Sequence, residues 1–583
     1  MLTKKEFCLL NELNSKRFRE RNLKDSFLLL CISEYSIIAS SLVEKGFLDA
    51  SGAITDLGVR ELEPYRVKNA IILAAGPSTR MVPLSLEKPK GLFEVKGEVL
   101  IERQIRQLQE VGITDITVVL GYKKEQFYYL KEKYNVEFVI NDNFVKKNNT
   151  ESMRLIADKL CNTYVCSCDD YFLENPFNQY EYDSFYAGYY TFQQTNEMYV
   201  ELDDDKNIVH MLKGKYAGFV LVGHSYFSDD FAKQFTELLI GDSEGKYDQV
   251  FWEWLVKDNL EILPSFAFKE YLRDEIYEFD FFDELRDFDE NYIERTQSRI
   301  IKNITSVFKC TESDVKNFRT VKEGLTNTSF IFELDGVDYI YRHPGDGTEE
   351  IISRQSEQEA LILAKQLEID PTYIYMDVNE GWKISKFVHN FREPEYESFE
   401  DSKLVLTVLR DLHSATIRPK AEFKPWDESI KIKETLINND AHCFDDYFGL
   451  EANIKKLVEK VENDGTKKCF CHCDTYRHNW MITDEKAILI DWEYAGFSDP
   501  GVDIGYYICD AEYDFDEAEK FIKEYAGKAY NADVRFHHFA YTAIIAYYWF
   551  VWALYREACG ADMGESLGIW RDVAKKYSDY LLK

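Results

Sequence analysis

The sequence predicts a multidomain protein of mixed α/β and α+β class. Strands and helices alternate from Lys68 onward, the sign of a mostly parallel sheet. After about residue 305 the pattern changes to short strands that pair locally, and after about 395 to helices. Hydrophobic residues make up 45% of the chain and charged residues 30%, a globular composition. The length of 583 residues gives three or four domains at roughly 100–200 residues each. No repeat and no Pro-rich or Gly/Ser-rich linker marks the boundaries, so they are read from the pattern changes: 1–65, 66–298 and 299–583. The last splits into a small lobe, 305–390, and a helical lobe, 391–583.

In the first segment LTKKEFCLLNEL spaces Phe7, Leu10 and Leu13 as one helix face. SEYSIIASSLVEKGFLD is a second helix stopping at Gly46. FLDASGAITDLGVREL reads as two short strands around Ser51 and Gly52. This order resembles a winged helix-turn-helix of the MarR-like kind. The basic cluster Lys16, Arg17, Arg19, Arg21 and Lys24 then faces DNA, or the segment serves packing or dimerisation; a homo-oligomer is left open. Lys plus Arg total 70 against 104 Asp plus Glu, a net charge of −34. That charge disfavours non-specific binding of nucleic acid or anionic membrane by the whole chain.

No apolar leader stands at the start, so no signal peptide is expected. The apolar run 543–554 is short of the ~20 residues of a membrane span and reads as a buried helix. Cys166/Cys168 and Cys471/Cys473 lack the C-x-x-C spacing of a zinc site and read as buried free thiols, which places the chain in the cytoplasm.

The second segment runs KNAIILAAG (strand, Gly loop), LIERQIRQLQEVGI (helix), DITVVLGY (strand), EQFYYLKEKY (helix), EFVIND (strand), ESMRLIADKL (helix) and TYVCSCDDYF (strand), a Rossmann-like, doubly wound sheet. Ligands in such sheets bind beyond the carboxyl ends of the strands. In LAAGPSTRMVPLSLEKPKGL the Gly loop lets backbone N–H groups approach a triphosphate, and Arg80 and Lys90 supply cations for it and for leaving pyrophosphate. These residues resemble the signature L-x-A-G-x-G-x-R…K-P-K of sugar-phosphate and choline-phosphate nucleotidyltransferases. The likeness is nearest to the bacterial lic-type choline-phosphate cytidylyltransferases, with Ser78 where the pattern has its second Gly. It implies Leu73, Ala75 and Gly76 at the nucleotide, Asn148 and Ser152 at the substrate, and Asp169 and Asp280 as ligands of Mg²⁺. Asp170 reads as a solvated turn acid. An aromatic cage for a quaternary ammonium would draw on Tyr189, Tyr190, Phe192 and Tyr216.

In the third segment, CFCHCDTYRHNWMI followed by AILIDWEYAGFSDPGVDIGYY gives Asp474 and Asn479 the D-x-x-x-x-N spacing of a kinase catalytic loop, with His472 two residues before. Asp474 orients or accepts a hydroxyl proton, Asn479 holds Mg²⁺, and Asp491 follows as the second metal ligand. The D-W-E-Y-A-G…D-I-G run resembles lic-type choline kinases and their aminoglycoside-phosphotransferase relatives, with a bilobal, protein-kinase-like fold. That resemblance implies Thr326, Asn327 and Ser329 near the nucleotide and Arg342 where many kinases carry a lysine. It gives Arg342 a helix partner in Glu357, or else Glu359. It also implies Glu493, Trp549 and Trp552 around a trimethylammonium group, drawn from Tyr548, Trp549, Trp552 and Tyr555 at helical spacing.

Together the resemblances imply an enzyme that phosphorylates choline with ATP and couples phosphocholine to CTP, giving CDP-choline and pyrophosphate. Ethanolamine as substrate, a sugar kinase paired with a sugar-1-phosphate nucleotidyltransferase, and a DNA-binding regulator sensing CDP-choline are the alternatives.

Overall fold

The computed structural model describes residues 2–14, 32–195, 197–214, 217–292, 296–321, 328–344, 353–438, 447–484 and 486–583. The cluster Lys16, Arg17, Arg19, Arg21 and Lys24, together with Tyr216, Thr326 and Asn327, lies outside the described residues. The chain divides into two compact units, Met1–Thr320 and Val321–Lys583.

The first unit is built on a sheet with nine strands among the described residues. Its parallel centre runs Thr163–Ser167, Asn69–Ala74, Ile116–Leu120, Glu137–Ile140 in spatial order. Alternation along the central strand sends side chains to opposite faces. Ala70, Ile72 and Ala74 enter one core, Ile71 and Ala75 the other. Being buried on both faces, the strand needs apolar residues throughout, which is why NAIILA reads as a continuous run. The helix Leu100–Glu110 covers one face through Ile101, Ile105 and Leu108. From that face Gln104 donates to the carbonyls of Ser167 and Asp170 at 2.7 and 3.0 Å, tying the helix to the strand end that carries the acids. Antiparallel strands extend the sheet, among them Gly218–Phe227 beside Thr163–Ser167.

The N-terminal helices Lys4–Asn14 and Ile32–Glu44 pack on the sheet domain instead of standing apart. Leu2, Phe7, Leu9, Leu10, Leu42, Leu48 and Leu62 share a core with Tyr180, and Phe7, Tyr65 and Tyr182 form a ring cluster with centroids 5.0–5.3 Å apart. The expected hairpin is a single antiparallel bridge, Leu48 to Ile54.

The second unit opens with antiparallel strands paired in the order Thr328–Leu334, Val337–His343, Lys383–Lys386, Tyr373–Met376. The helix Arg354–Gln366 turns Ala360, Leu361 and Ala364 into the core. In the helical part the 469–494 region forms the hairpin Trp480–Ile482 with Ala487–Leu489, while Cys469–Cys471 pairs with Gly496–Ser498. The long helix Ala532–Ala558 carries the apolar run and is buried along most of its length. Among the described residues no helix is long and apolar enough to cross a membrane. It rests on the helix Gly501–Asp510 at two glycines. A Cβ at Gly501 would lie 2.7 Å from the Tyr541 ring, and one at Gly505 would lie 2.7 Å from the Thr542 nitrogen, both inside contact distance.

Candidate active sites

In the first unit the loop after Asn69–Ala74 is pinned at its root. The Ala75 carbonyl accepts from the Tyr122 N–H at 3.0 Å, and Gly121 lies so close that a Cβ there would sit 2.6 Å from that oxygen. Ser78 has φ +50° and ψ +47°, the left-handed conformation that favours glycine. The loop thus keeps the backbone shape of the G-x-G pattern although the residue differs.

Lys90 opens a short 3₁₀ turn and is 6% exposed. Its Nζ lies 2.6 Å from Asp169 Oδ2 and 3.9 Å from Asp280 Oδ1. Burial alone would lower the ammonium pKa, but Asp169, Glu278 and Asp280 hold it above the usual range. Arg80 reaches Asp280 through two nitrogens, at 2.7 and 3.0 Å. The two acids, far apart in sequence, meet because Asp170–Phe172 pairs antiparallel with Ile276–Glu278, with Glu278 opposite Asp170.

That pairing corrects the reading of Asp170. It is 1% exposed, not solvated, because its strand turns it inward. Neither of its carboxylate oxygens has a hydrogen-bond partner among the described residues. Burial, then Asp169 and Glu278, pushes its pKa well above the carboxylate range. Glu278, an exposed residue also missed in the sequence, has its pKa raised by loss of hydration at the carboxyl and by Asp169. Its signal was present: alternation puts Glu278 and Asp280 on one face.

Asn148 caps the helix Asn149–Leu155, accepting from the Asn149 N–H. Ser152, on the same helix, accepts from Asn141 Nδ2 at 3.0 Å just beyond the strand Glu137–Ile140. Among the described residues neither is hydrogen-bonded to Lys90, Asp169 or Asp280. Tyr189 packs against the core, while Tyr190 and Phe192 are exposed and meet edge to face at 5.0 Å.

In the second unit the candidates converge on one cavity of about 580 Å³. Asp474 and Asn479 meet as their spacing predicts: Asn479 Nδ2 donates to the Asp474 carboxylate at 2.9 Å and to its carbonyl at 2.8 Å, leaving the amide oxygen for a ligand. His472 is neutral. Its Nε2–H donates to the Ile490 carbonyl and Nδ1 accepts from the Asp474 N–H, while burial lowers its pKa. Asp474 is raised well above the carboxylate range by burial and by Asp491 and Glu493.

Arg342 ion-pairs with Asp491 and, at 2.9 Å, with Glu493. The expected Arg342–Glu357 pair is not formed. Glu357 does face the site, but it holds Lys383, whose Nζ lies 2.9 Å from Glu357 and 3.2 Å from Asp491. The reason is register: Arg342 and Lys383 sit directly opposite on paired strands, two like charges that share Asp491 between them while each takes a further carboxylate, Glu493 for Arg342 and Glu357 for Lys383. Lys383 was missed because no local motif surrounds it. Burial opposes charge on Asp491, yet Arg342 and Lys383 keep its carboxyl below the usual range. Burial and neighbouring Asp491 push Glu493 up to about 7. Glu359 instead accepts from the Lys420 N–H, on the exposed side. Ser329 lines the same cavity.

A second missed residue is Asp503. Fully buried, it accepts the backbone N–H groups of His472 at 2.9 Å and Cys473 at 2.6 Å, bracing the loop that carries Asp474. At the far end of the cavity Trp549 is ringed by Tyr506, stacked at 5.0 Å, Tyr494 at 5.2 Å, Trp552 at 5.3 Å and Trp570 at 5.9 Å. The indole N–H groups of Trp549 and Trp552 have no acceptor among the described residues.

The family model of choline/ethanolamine kinases matches residues 318–556, and that of MobA-like NTP transferase domains matches residues 70–192. A choline-phosphate cytidylyltransferase of Streptococcus pneumoniae is 36% identical over 222 residues, which are 38% of this chain and 96% of that protein. The chain belongs to the choline-phosphate cytidylyltransferase family. Fused behind that domain is a domain of the choline/ethanolamine kinase type. Another cytidylyltransferase, named for 2-aminoethylphosphonate, from Lancefieldella rimae, is also 36% identical, covering 39% of this chain and 93% of its own. Protein LicA of Haemophilus influenzae is 21% identical, over 42% of this chain and 74% of its own. The chain is thus an enzyme of two kinds, a cytidylyltransferase and a kinase.

Proposed function

We propose that the two sites act in sequence, the kinase converting choline and ATP to phosphocholine and the cytidylyltransferase joining phosphocholine to CTP with release of pyrophosphate. The observation that carries this reading is the ring of aromatics around Trp549 in the same cavity as Asp474 and Glu493. Aromatic faces attract a quaternary ammonium that offers no N–H to donate.

In the kinase reaction the choline hydroxyl oxygen attacks the γ-phosphorus of ATP and ADP departs. Asp474, kept basic by burial, takes or orients the hydroxyl proton. In the transfer reaction a phosphate oxygen of phosphocholine attacks the α-phosphorus of CTP. That nucleophile is already anionic, so no base is required. Lys90 and Arg80, ion-paired to Asp169 and Asp280 in the free site, turn their charge to the phosphates. Both acid clusters offer oxygen donors alone, and the unpartnered Asp170 oxygens add to the first, a set that fits Mg²⁺. Asp169 and Asp280 would hold it in one site, Asn479 and Asp491 in the other, where it supplies charge neutralisation of phosphate oxygens.

Phosphorus NMR of the purified chain with Mg²⁺, ATP, CTP and choline tests this. CDP-choline formation supports it. Turnover of ethanolamine but not choline would remove the cage assignment, and no phosphorylation of either would remove the substrate class.

A further inference from the structure

We propose that His413, Cys469 and Cys471 form a binding site for a soft divalent metal of the zinc type, set behind the kinase catalytic loop. One ligand atom from each lies within 4.8 Å of the other two. The two sulfurs are 3.6 Å apart. Tetrahedral Zn²⁺ with Zn–S bonds of about 2.3 Å needs a sulfur–sulfur edge of about 3.8 Å, so the thiols are already at ligand spacing. Cys469 and Cys471 are both free, at positions i and i+2 of one strand, which puts them on one face. Strand rise sets their Cα atoms about 6.6 Å apart, the outer limit for a disulfide, so the pair is shaped for a metal more than for oxidation.

The histidine is prepared as a ligand. His413 Nε2 lies 2.9 Å from Asp503 Oδ2, and a carboxylate only accepts, so the proton sits on Nε2. Nδ1 presents its lone pair, which the Tyr525 hydroxyl occupies at 2.7 Å. A carboxylate on the far nitrogen of a metal-binding imidazole is the usual way its tautomer and ring orientation are fixed. Charge balances at the metal as well: Zn²⁺ displaces two thiol protons to solvent, and two thiolates with a neutral imidazole leave the metal and its ligands without net charge. The fourth position falls to the Tyr525 oxygen or to water. The same Asp503 carboxylate holds the N–H groups of His472 and Cys473, so metal loading acts on the loop that carries Asp474.

Metal binding itself is the test, read without turnover. Cd²⁺ alone is titrated into the reduced, metal-free full chain, and bound metal is counted after gel filtration. About one equivalent is expected, with an ultraviolet thiolate-to-Cd²⁺ band that is absent from C469A/C471A and outcompeted by Zn²⁺. Kinase activity of the metal-free double variant should match that of the metal-free parent, which shows that it is folded; if it is not folded, Cys469→Ala at the partly exposed position takes its place. Equal uptake and an equal band in parent and variant, with the metal on other thiols such as Cys8 or Cys559, would overturn the proposal, as would no thiolate band at all.

Discussion

The two active sites reach similar electrostatics by different routes. In the candidate cytidylyltransferase site both cations, Arg80 and Lys90, come from one loop behind one strand, and they meet Asp169 and Asp280, which flank the two paired strands Asp170–Phe172 and Ile276–Glu278. In the kinase site both cations, Arg342 and Lys383, come from paired strands, and the acids Asp491 and Glu493 come from one loop. A loop is written contiguously in sequence. A strand pairing is not. The local half of each site is therefore exposed to motif reading and the paired half is hidden from it.

If the sites are independent catalysts, single substitutions should separate them. Asp474→Asn should cost the choline-dependent step about 10²–10⁴-fold in kcat and leave CDP-choline formation from supplied phosphocholine at the parent rate. Lys90→Ala should cost the second step about 10²–10³-fold and stop the NMR course at phosphocholine. A rate loss in both steps from either variant would mean that the sites are coupled.

Buried carboxyls also sharpen the contrast, because one of them lies in the core of the first unit. Glu253 accepts from the Tyr186 hydroxyl at 2.9 Å, and burial pushes it up to about 7. Its folded pKa lies above the unfolded value, so its stabilisation is complete below about pH 4.5 and is lost as pH rises toward 7, up to about 3 kcal/mol. Urea unfolding across that window should show the slope in the parent and a flatter one in Glu253→Gln. Trp549→Ala should raise the KM for choline about tenfold with little change in the KM for ATP, a loss of about 1–2 kcal/mol of cation–π attraction. An unchanged choline KM would assign the ring cluster to packing. Ser78→Gly should have the smallest effect, about 0.5–1 kcal/mol of relief from left-handed strain, read as a slightly higher unfolding midpoint without loss of transfer.

Much of this was legible in the chain. NAIILA announced a strand buried on both faces, and D-x-x-x-x-N placed Asn479 on Asp474, because each depends on neighbours within a few residues. Glu357 was readable as an inward acid but its partner was not, since Lys383 reaches it only through the pairing of Val337–His343 with Lys383–Lys386. Asp170 was misread because its burial is decided by a strand a hundred residues downstream. Asp503 stood in plain view within the D-I-G run, yet nothing in its spacing says that it grips the backbone of the catalytic loop.

The paired glycines under the long helix have a further effect. Gly505 lets the backbones of two helices touch at Tyr541 and Thr542, Gly501 makes room for the Tyr541 ring, and Trp549 stands two turns further along the same rod. The pair therefore acts as a spacer of zero thickness between the two helices. Adding a methyl at Gly505 would tilt the rod outward and dilate its far end, so that preference would drift from trimethylammonium toward bulkier alkylammonium alcohols. If choline binds at Trp549, its size is gauged by a backbone contact about two helical turns away.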